Sequence, residues 1–322
     1  MTARIFIDGE AGTTGLQIAE RLSGRSDLEL LHLNDAERKD AGRRRDALNA
    51  CDVAILCLPD AAAREAVAMI DTPSVRVIDA STAHRTQAGW AYGFPEYVPE
   101  QRQRMREGTR IANPGCYALT AVAMLHPLVA GGLLPADWPV SINAVSGYSG
   151  GGKALIARFE QAGHPEPIEA AVHAYALGLA HKHLPEITRW GGLAHSPLFM
   201  PSVGRYYQGM LVQLPLALWA LPGKPSAEAV HAALSAHYAG ERFVTVAPMA
   251  ESGSLDRLYP EALNGSNELR LHVFANPAEG TAMVAGVLDN LGKGASGQAV
   301  QSLNLLIGAD EGAGLEHFER AA

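Results

Sequence analysis

The sequence predicts a two-domain α/β protein, with an N-terminal parallel sheet wound between helices and a mixed α+β domain after it. Three observations carry this. Short apolar runs alternate with segments of helical period up to about residue 115, the pattern of βαβ units joined by right-handed crossovers. Beyond that point the strand-like runs are spaced by longer loops, as in a sheet packed on helices. At 322 residues the chain also exceeds the size at which a single core stops growing, roughly 250–300 residues.

The elements follow in order. Arg4 to Asp8 is an apolar run that meets Gly9-Glu10-Ala11-Gly12-Thr13-Thr14-Gly15, after which Leu16, Ile18, Ala19 and Leu22 recur at helical spacing. That is strand, glycine turn, helix. Further strands are expected at Leu28 to Leu33, Val53 to Leu58 and Val75 to Ile78, with a helix from Ala61 to Ile70 after the polar turn Pro59-Asp60. A helix opens at Cys116 and runs through Ala121, Val122, Met124 and Leu125. In the second domain, strands are expected at Val140 to Val145, Met210 to Leu216 and Glu268 to Ala275, with a glycine-rich loop at Gly147 to Gly152. Ala282 to Leu291 and Gln298 to Ile307 read as helices, and Ala309 to Ala322 as a polar helix or frayed tail.

Composition narrows the function classes. Hydrophobic residues make up 48% and charged residues 19%, ordinary for a soluble globular chain. Apolar stretches are short and interrupted, below the roughly 20 residues of a membrane span. No signal-peptide apolar segment follows Met1, so the cytoplasm is the expected location. The net charge is −8 and basic residues are dispersed apart from Arg43-Arg44-Arg45, which argues against nucleic acid as a partner. The 3 cysteines include no Cys-x-x-Cys pair, so neither a disulfide framework nor structural zinc is expected. Cys51 and Cys57 flank a buried-strand pattern and read as inert core thiols.

The glycines at 9, 12 and 15 are spaced G-x-x-G-x-x-G. Small residues let a backbone approach a pyrophosphate, and the helix start offers unpaired N–H groups and partial positive charge. Thr13 and Thr14 add hydroxyl donors. Many strand–helix turns carry glycines, but the strand–turn–helix context makes this a Rossmann-type dinucleotide site. The choice between NAD and NADP stays open on residue chemistry. Asn34-Asp35 stands where an acidic residue would hold a ribose hydroxyl, while Arg38 and Lys39 suit a 2′-phosphate.

Asn113-Pro114-Gly115-Cys116-Tyr117 places a thiol at a helix start, where the dipole and free N–H groups favour the thiolate. A small apolar residue under a helix cap is the plainer reading, but it leaves the tight Asn-Pro-Gly turn unexplained. A nucleophilic thiol needs a proton shuttle. His181-Lys182-His183-Leu184-Pro185-Glu186 is the best candidate: in an extended segment His181 and His183 face one side, and Glu186 is placed to orient an imidazole. A metal site is the rival for this pattern, but no further clustered ligand is evident, and no metal is expected. Ser146 to Lys153 is either a flexible turn or a close-approach loop for substrate or nicotinamide. Arg85, in Asp79-Ala80-Ser81-Thr82-Ala83-His84-Arg85, reads equally as a surface residue or as a bidentate partner for a carboxylate or phosphate.

These motifs together, with Asp289-Asn290-Leu291-Gly292-Lys293-Gly294-Ala295-Ser296-Gly297-Gln298-Ala299, resemble the short form of the N-acetyl-gamma-glutamyl-phosphate reductase family over nearly the whole chain. The resemblance implies a domain pair of the semialdehyde dehydrogenase type. Residues 1–115 would bind NADP, completed by a C-terminal helix over 290–322, and 116–289 would carry catalysis and oligomer contacts. It implies Cys116 as nucleophile and His183, or His181, as general acid/base. Arg85, Tyr175, Glu186 and Ser146 would serve the substrate, an acyl phosphate. Gly9, Gly12, Thr13, Thr14, Gly15, Ser149, Gly150 and Asn290 would serve NADP. A homodimer or homotetramer is expected.

Rival functions are aspartate-semialdehyde dehydrogenase, which shares the thiol chemistry, and a homologue acting on a carrier-protein-linked lysine precursor. A nucleotide-sensing regulator would keep the first domain and dispense with Cys116. A cysteine hydrolase would leave the glycine loop at Gly9 without a role.

Overall fold

Val53-Ala54-Ile55-Leu56 is buried at every position, as a strand covered by helices on both faces must be. In the computed structural model, which describes residues 2–315, it is the third strand of a six-stranded sheet. The chain divides into two units, one built from residues up to Gly115 with those from Ala295 on, the other from Cys116–Gly294.

The first unit runs β1 (Ala3–Asp8), α1 (Thr13–Leu22), β2 (Leu28–Leu31), α2 (Ala41–Ala50), β3 (Val53–Leu56), α3 (Asp60–Ala68), β4 (Arg76–Asp79), β5 (Ala91–Tyr92), α4 (Gln101–Glu107) and β6 (Arg110–Ala112). The order across the sheet is β2-β1-β3-β4-β6-β5, and every pair is parallel. Winding reverses at β1, which lies between β2 and β3. In open α/β sheets ligands enter at the carboxyl ends of the strands flanking such a point.

The second unit opens with α5 (Cys116–Ala130), then β7 (Ser141–Gly147), α6 (Gly152–Glu160), β8 (Val172–Ala174), α7 (Leu184–Gly191), β9 (Leu198–Gly204), β10 (Met210–Ala217), α8 (Ala227–His237), β11 (Val244–Val246), α9 (Met249–Gly253), β12 (Leu269–Asn276) and β13 (Thr281–Leu288). Its seven strands are ordered β11-β12-β13-β10-β7-β9-β8. Two pairs are parallel, β7 with β9 and β11 with β12, and the others are antiparallel. Helices α5 and α8 pack on the sheet, with α7 along α5. Helix α5 is apolar almost all round, and residues 117–125 are all buried, which is the pattern of a helix enclosed by its domain.

A π-helical turn, Gly292–Ser296, then leads into α10 (Gly297–Ile307), which rejoins the first unit. Residues 297–306 of α10 are buried throughout. Ser296 Oγ donates to Gln17 Oε1 at 3.0 Å and accepts from Arg21 Nε at 3.2 Å. Arg25 Nη1 donates to Asn304 Oδ1 at 2.5 Å, and Arg76 donates to the Leu306 carbonyl.

Two expected elements are corrected. Ala282 to Leu291 is not a helix: Thr281–Leu288 is a central strand between β10 and β12. A short run apolar on both faces fits a buried helix segment and a central strand equally, and here the sheet register decides. Ala309 to Leu315 forms hydrogen-bonded turns rather than a helix, after Gly308 ends α10 in a left-handed conformation. The remainder of the expected tail, 316–322, lies outside the described residues.

Candidate active site

The crevice in the first unit is shaped by glycine. Gly9 follows β1 with φ +90°, and a Cβ there would stand 2.3 Å from the Cys57 carbonyl oxygen, while one on Gly15 would stand 2.4 Å from the Gly9 carbonyl oxygen. Only glycine passes at both places. The bare backbone leads to Gly12, the N-cap of α1, which brings no capping side chain to the free N–H groups. Thr13 and Thr14 are the first two residues of that helix. The loop is thus a cradle for an anionic group against a helix start, which fits a dinucleotide pyrophosphate. The turn after β3, Cys57 to Pro59, forms the other wall of the crevice at Gly9. Sequence reasoning had not placed it there.

Beyond β2, Asn34 is used structurally. Its Oδ1 accepts from the N–H groups of Ala36 and Glu37 at 3.0 Å each, and Glu37 Oε2 accepts from Asn34 N–H at 3.1 Å. Asp35 is exposed and pairs with Arg38 at 2.8 Å.

Arg85 is buried. Its Nε donates to the Asn113 carbonyl at 2.9 Å and Nη2 to the Ala80 carbonyl at 3.1 Å. The guanidinium therefore braces the residues that precede Cys116 in the chain. Asn113 Nδ2 donates to the Ala295 carbonyl at 3.1 Å, holding the same turn from the other side.

In the second unit Cys116 is the first residue of α5 and is half-buried. Gly294 packs against it so closely that an added Cβ would stand 2.7 Å from Cys116 Cβ. The other two thiols are chemically different. Burial pushes both Cys51 and Cys57 up to about 12, so they stay protonated and inert.

Tyr117, next in the chain, is buried, and its hydroxyl donates to the Ser202 carbonyl at 3.1 Å. Its ring meets His181 and His183 edge-on, with centroids 5.9 and 6.0 Å away. The two imidazoles lie 4.7 Å apart at 78°. They are adjacent for a different reason than expected. The segment is not extended: it turns tightly, with His183 in helical conformation as the N-cap of α7. Tyr175 Oη lies 3.2 Å from His181 Nε2, and His183 N–H donates to His181 Nδ1 at 3.1 Å. Burial, then the Lys182 charge, pushes His181 down to about 4. Burial raises both phenols, Tyr175 to about 12, and the Cys116 charge raises both further, which places thiol, phenols and imidazoles in one electrostatic neighbourhood. Glu186 is buried in the first turn of α7.

The loop after β7 is a short 3-10 turn, Tyr148–Gly151, running into α6 rather than a free loop. Asn290 Nδ2 donates to Ser149 Oγ at 3.0 Å, and Asn290 Oδ1 accepts from Gly209 N–H at 2.7 Å. A Cβ on Gly150 would lie 3.4 Å from both Ser146 Oγ and Asn290 Nδ2. So Ser146, Ser149, Gly150 and Asn290 form one cluster, and Cys116, Tyr175, His181 and His183 another, with Tyr117 packed against both imidazoles. Arg85 and the glycine loop belong to the first unit. Tyr117 and Gly294 were missed as site residues. The first was quoted only as part of the Cys motif, and a close approach such as that of Gly294 leaves no mark in sequence beyond the glycine itself.

Among the described residues there is no group of three or more His, Cys, Asp or Glu placed to hold a metal. No helix among them is long and apolar enough to cross a membrane.

Known proteins match this architecture. The semialdehyde dehydrogenase dimerisation domain family matches residues 116–290 and the semialdehyde dehydrogenase NAD-binding domain family matches 41–105. N-acetyl-gamma-glutamyl-phosphate reductase 2 of Pseudomonas putida is 57% identical over 308 residues, covering 96% of this chain and 98% of that one. N-acetyl-gamma-glutamyl-phosphate reductase of Brucella anthropi is 52% identical, covering 96% and 99%. Among solved structures, aspartate semialdehyde dehydrogenase II from Vibrio cholerae aligns with a TM-score of 0.67 at 17% identity, covering 95% of this chain and 98% of that one. The aspartate semialdehyde dehydrogenase with NADP from Candida albicans aligns at 0.63 and 15% identity, covering 95% and 99%. The structural likenesses give the shared fold, and the sequence relatives give the branch within it. The chain belongs to the N-acetyl-gamma-glutamyl-phosphate reductase family.

Proposed function

We propose that this protein is a cytoplasmic reductase of arginine biosynthesis that converts N-acetyl-gamma-glutamyl phosphate to N-acetylglutamate semialdehyde with NADPH. The observation that carries the reading is Cys116, half-buried at the start of a 15-residue helix and beside a Tyr-Tyr-His-His cluster, in a chain 57% identical to a reductase so named.

In this reading the first unit holds the cofactor and the second performs the chemistry. The glycine cradle at Gly9, Gly12 and Gly15, with Thr13 and Thr14, takes the pyrophosphate. Asn34 is committed to its own turn and Asp35 to Arg38, so neither is held for a ribose hydroxyl. Exposed Lys39, next to the Arg38–Asp35 pair, provides positive charge for a 2′-phosphate, which favours NADP. Ser149, Gly150 and Asn290 receive the nicotinamide end.

The Cys116 thiolate attacks the acyl carbon, the carbon–oxygen bond to phosphate breaks, and inorganic phosphate departs, leaving a thioester on Sγ. A reduced nicotinamide held by Ser149, Gly150 and Asn290 would supply the hydride for that carbon. The resulting oxyanion takes a proton from a histidine of the pair to give the thiohemiacetal, and that proton returns to the histidine as the carbon–sulfur bond breaks, so that aldehyde leaves and Cys116 returns to thiolate. His183, beside His181, moves that proton, and Tyr175, Glu186 and Ser146 orient the substrate. Arg85 serves the reaction by bracing the Asn113 turn.

Assembly as a homodimer or homotetramer goes with this reading, supported by the match of residues 116–290 to a semialdehyde dehydrogenase dimerisation domain. The register puts Val172, Ala174, Leu198, Met200 and Val145 on one face, of which Val172, Leu198 and Met200 are 58%, 55% and 44% exposed. Ser141, Asn143 and Ser202 share that face, and exposed apolar side chains set among polar ones support a surface that a second copy covers with the same face.

The experiment is phosphate-dependent oxidation of N-acetylglutamate semialdehyde, followed as NADPH formation, in wild type and Cys116→Ala. Turnover that requires phosphate and vanishes in the variant is the expected result. Turnover with aspartate semialdehyde instead would move the substrate, and none with either would overturn the assignment.

A further inference from the structure

We infer that Tyr175 and the His183 backbone hold His181 as a fixed Nε2–H imidazole, so that His181 positions its neighbour and His183 alone carries the proton. This division of labour rests on the reductase reading above, but its decisive test needs no substrate.

The argument begins with hydrogen-bond direction. His183 N–H can only donate, and it points at His181 Nδ1 at 3.1 Å. Nδ1 therefore presents its lone pair. A neutral imidazole carries one N–H, which must then be on Nε2. Nε2 lies 3.2 Å from Tyr175 Oη, so the ring donates and the phenol oxygen accepts. Both nitrogens are committed. Protonating the ring would place a second N–H at Nδ1, donor facing donor, and break the bond that fixes the His183 backbone.

The surroundings oppose that protonation as well. His181 is buried, with its ring packed 5.0 Å from Phe199 of β9 and 5.9 Å from Tyr117 of α5, centroid to centroid. The charged or titratable groups that face it are Lys182 and His183 from its own segment, Tyr175 from the turn after β8 and Tyr117 from α5, with Cys116 acting on both phenols. Burial and Lys182 both push the imidazole down, to about 4, well below the range in which a neutral-pH shuttle works.

His183 is placed differently. Its backbone is the N-cap of α7, and its ring meets the edge of Tyr117, the residue after the nucleophile. The His181 bond is what aims that backbone. His181 is thus a positioning residue, and its substitution should change rates without changing the ionisation that sets the pH profile.

The test has two arms. Long-range proton–nitrogen correlation spectra of protein labelled with 15N-histidine, recorded from pH 8 to pH 5, should show one ring in the Nε2–H tautomer that does not titrate. That ring is assigned by its disappearance in His181→Asn. In turnover, His183→Gln should lose on the order of 10²–10⁴-fold in kcat and its acid–base limb. His181→Asn keeps an acceptor near the Nδ1 position and should retain the wild-type limb with a smaller loss than His181→Ala. A His181 ring that titrates between pH 8 and pH 5, or carries its proton on Nδ1, would overturn the inference. So would loss of the pH limb in His181→Asn with its retention in His183→Gln. If the tautomer is as stated and no acyl phosphate is turned over, the reductase reading fails while the fixed state of His181 stands.

Discussion

Replacing Gly294 with alanine adds a single methyl group, and the structure says where that carbon goes. It would stand 2.7 Å from Cys116 Cβ, with Asp289 O and Leu288 Cδ1 each 3.2 Å away on other sides. Carbon atoms rest at roughly 3.5–4.0 Å, so about 1 Å of movement is required. The new methyl cannot retreat from Cys116 without pressing on Asp289 or Leu288. Cys116 starts a helix whose next nine residues are buried, so the displacement falls on the thiol and its turn. Overpacking of this kind destabilises by roughly 1–3 kcal/mol, and misplacing a reacting group by about 1 Å lowers turnover on the order of 10²-fold. Gly294→Ala should therefore drop kcat/KM about 100-fold and slow alkylation of Cys116 by iodoacetamide. NADPH affinity should change less than turnover, because the glycine cradle at Gly9 lies in the first unit. Steady-state kinetics, thiol labelling and calorimetry read these together. A variant with wild-type kcat/KM and a wild-type alkylation rate would show that Gly294 does not fix the nucleophile.

Three further outcomes are expected. Asn290→Ala leaves the buried Gly209 N–H without its acceptor and should lower stability by roughly 1–3 kcal/mol; an unshifted urea midpoint would contradict this. Arg85→Lys loses the two-carbonyl brace on Ala80 and Asn113, because an ammonium cannot span both as a planar fork does. It should lower kcat with little change in KM for phosphate, and a large rise in that KM would instead make Arg85 a substrate anion ligand. Acid should destabilise the fold through His181. The unfolded ring takes up a proton near pH 6.5, while the native ring is depressed to about 4, so this stabilisation is complete above pH 6.5 and declines as pH falls toward 4. The slope is at most roughly 1.4 kcal/mol per pH unit. His181→Asn should show a shallower loss between pH 7 and pH 4.5, and an equal loss in both proteins would refute the assignment.

What was legible in the sequence depended on how local the signal is. The glycine turn after Asp8 and the thiol at the head of α5 declare themselves because strand, turn and helix are contiguous, and both stand where their spacing puts them. Thr281–Leu288 did not, since a run buried on both faces has no period, and only its pairing with β10 and β12 makes it a strand. The two histidines were rightly paired on the wrong geometry: a turn closed by a side-chain acceptor, not an extended strand, brings them together. Arg85 shows the other limit. Its residue type suits an anion, but two carbonyls distant in sequence or behind it in the chain claim its donors, and no spacing rule reports them. Tyr117 and Gly294 act through contacts between segments more than 60 residues apart, which a linear reading cannot see.

The second unit begins at Cys116 and ends at Gly294, and these are the two residues whose atoms meet. The thiol thus stands where the chain of the second unit both begins and ends. A recombination event at that point transfers thiol, histidines, tyrosines and sheet as one cassette, and leaves the glycine cradle and the residues after β2 in the host. The same short distance between the cassette's ends lets a few residues of linker close it, which makes 116–294 a natural unit for grafting onto another dinucleotide-binding frame.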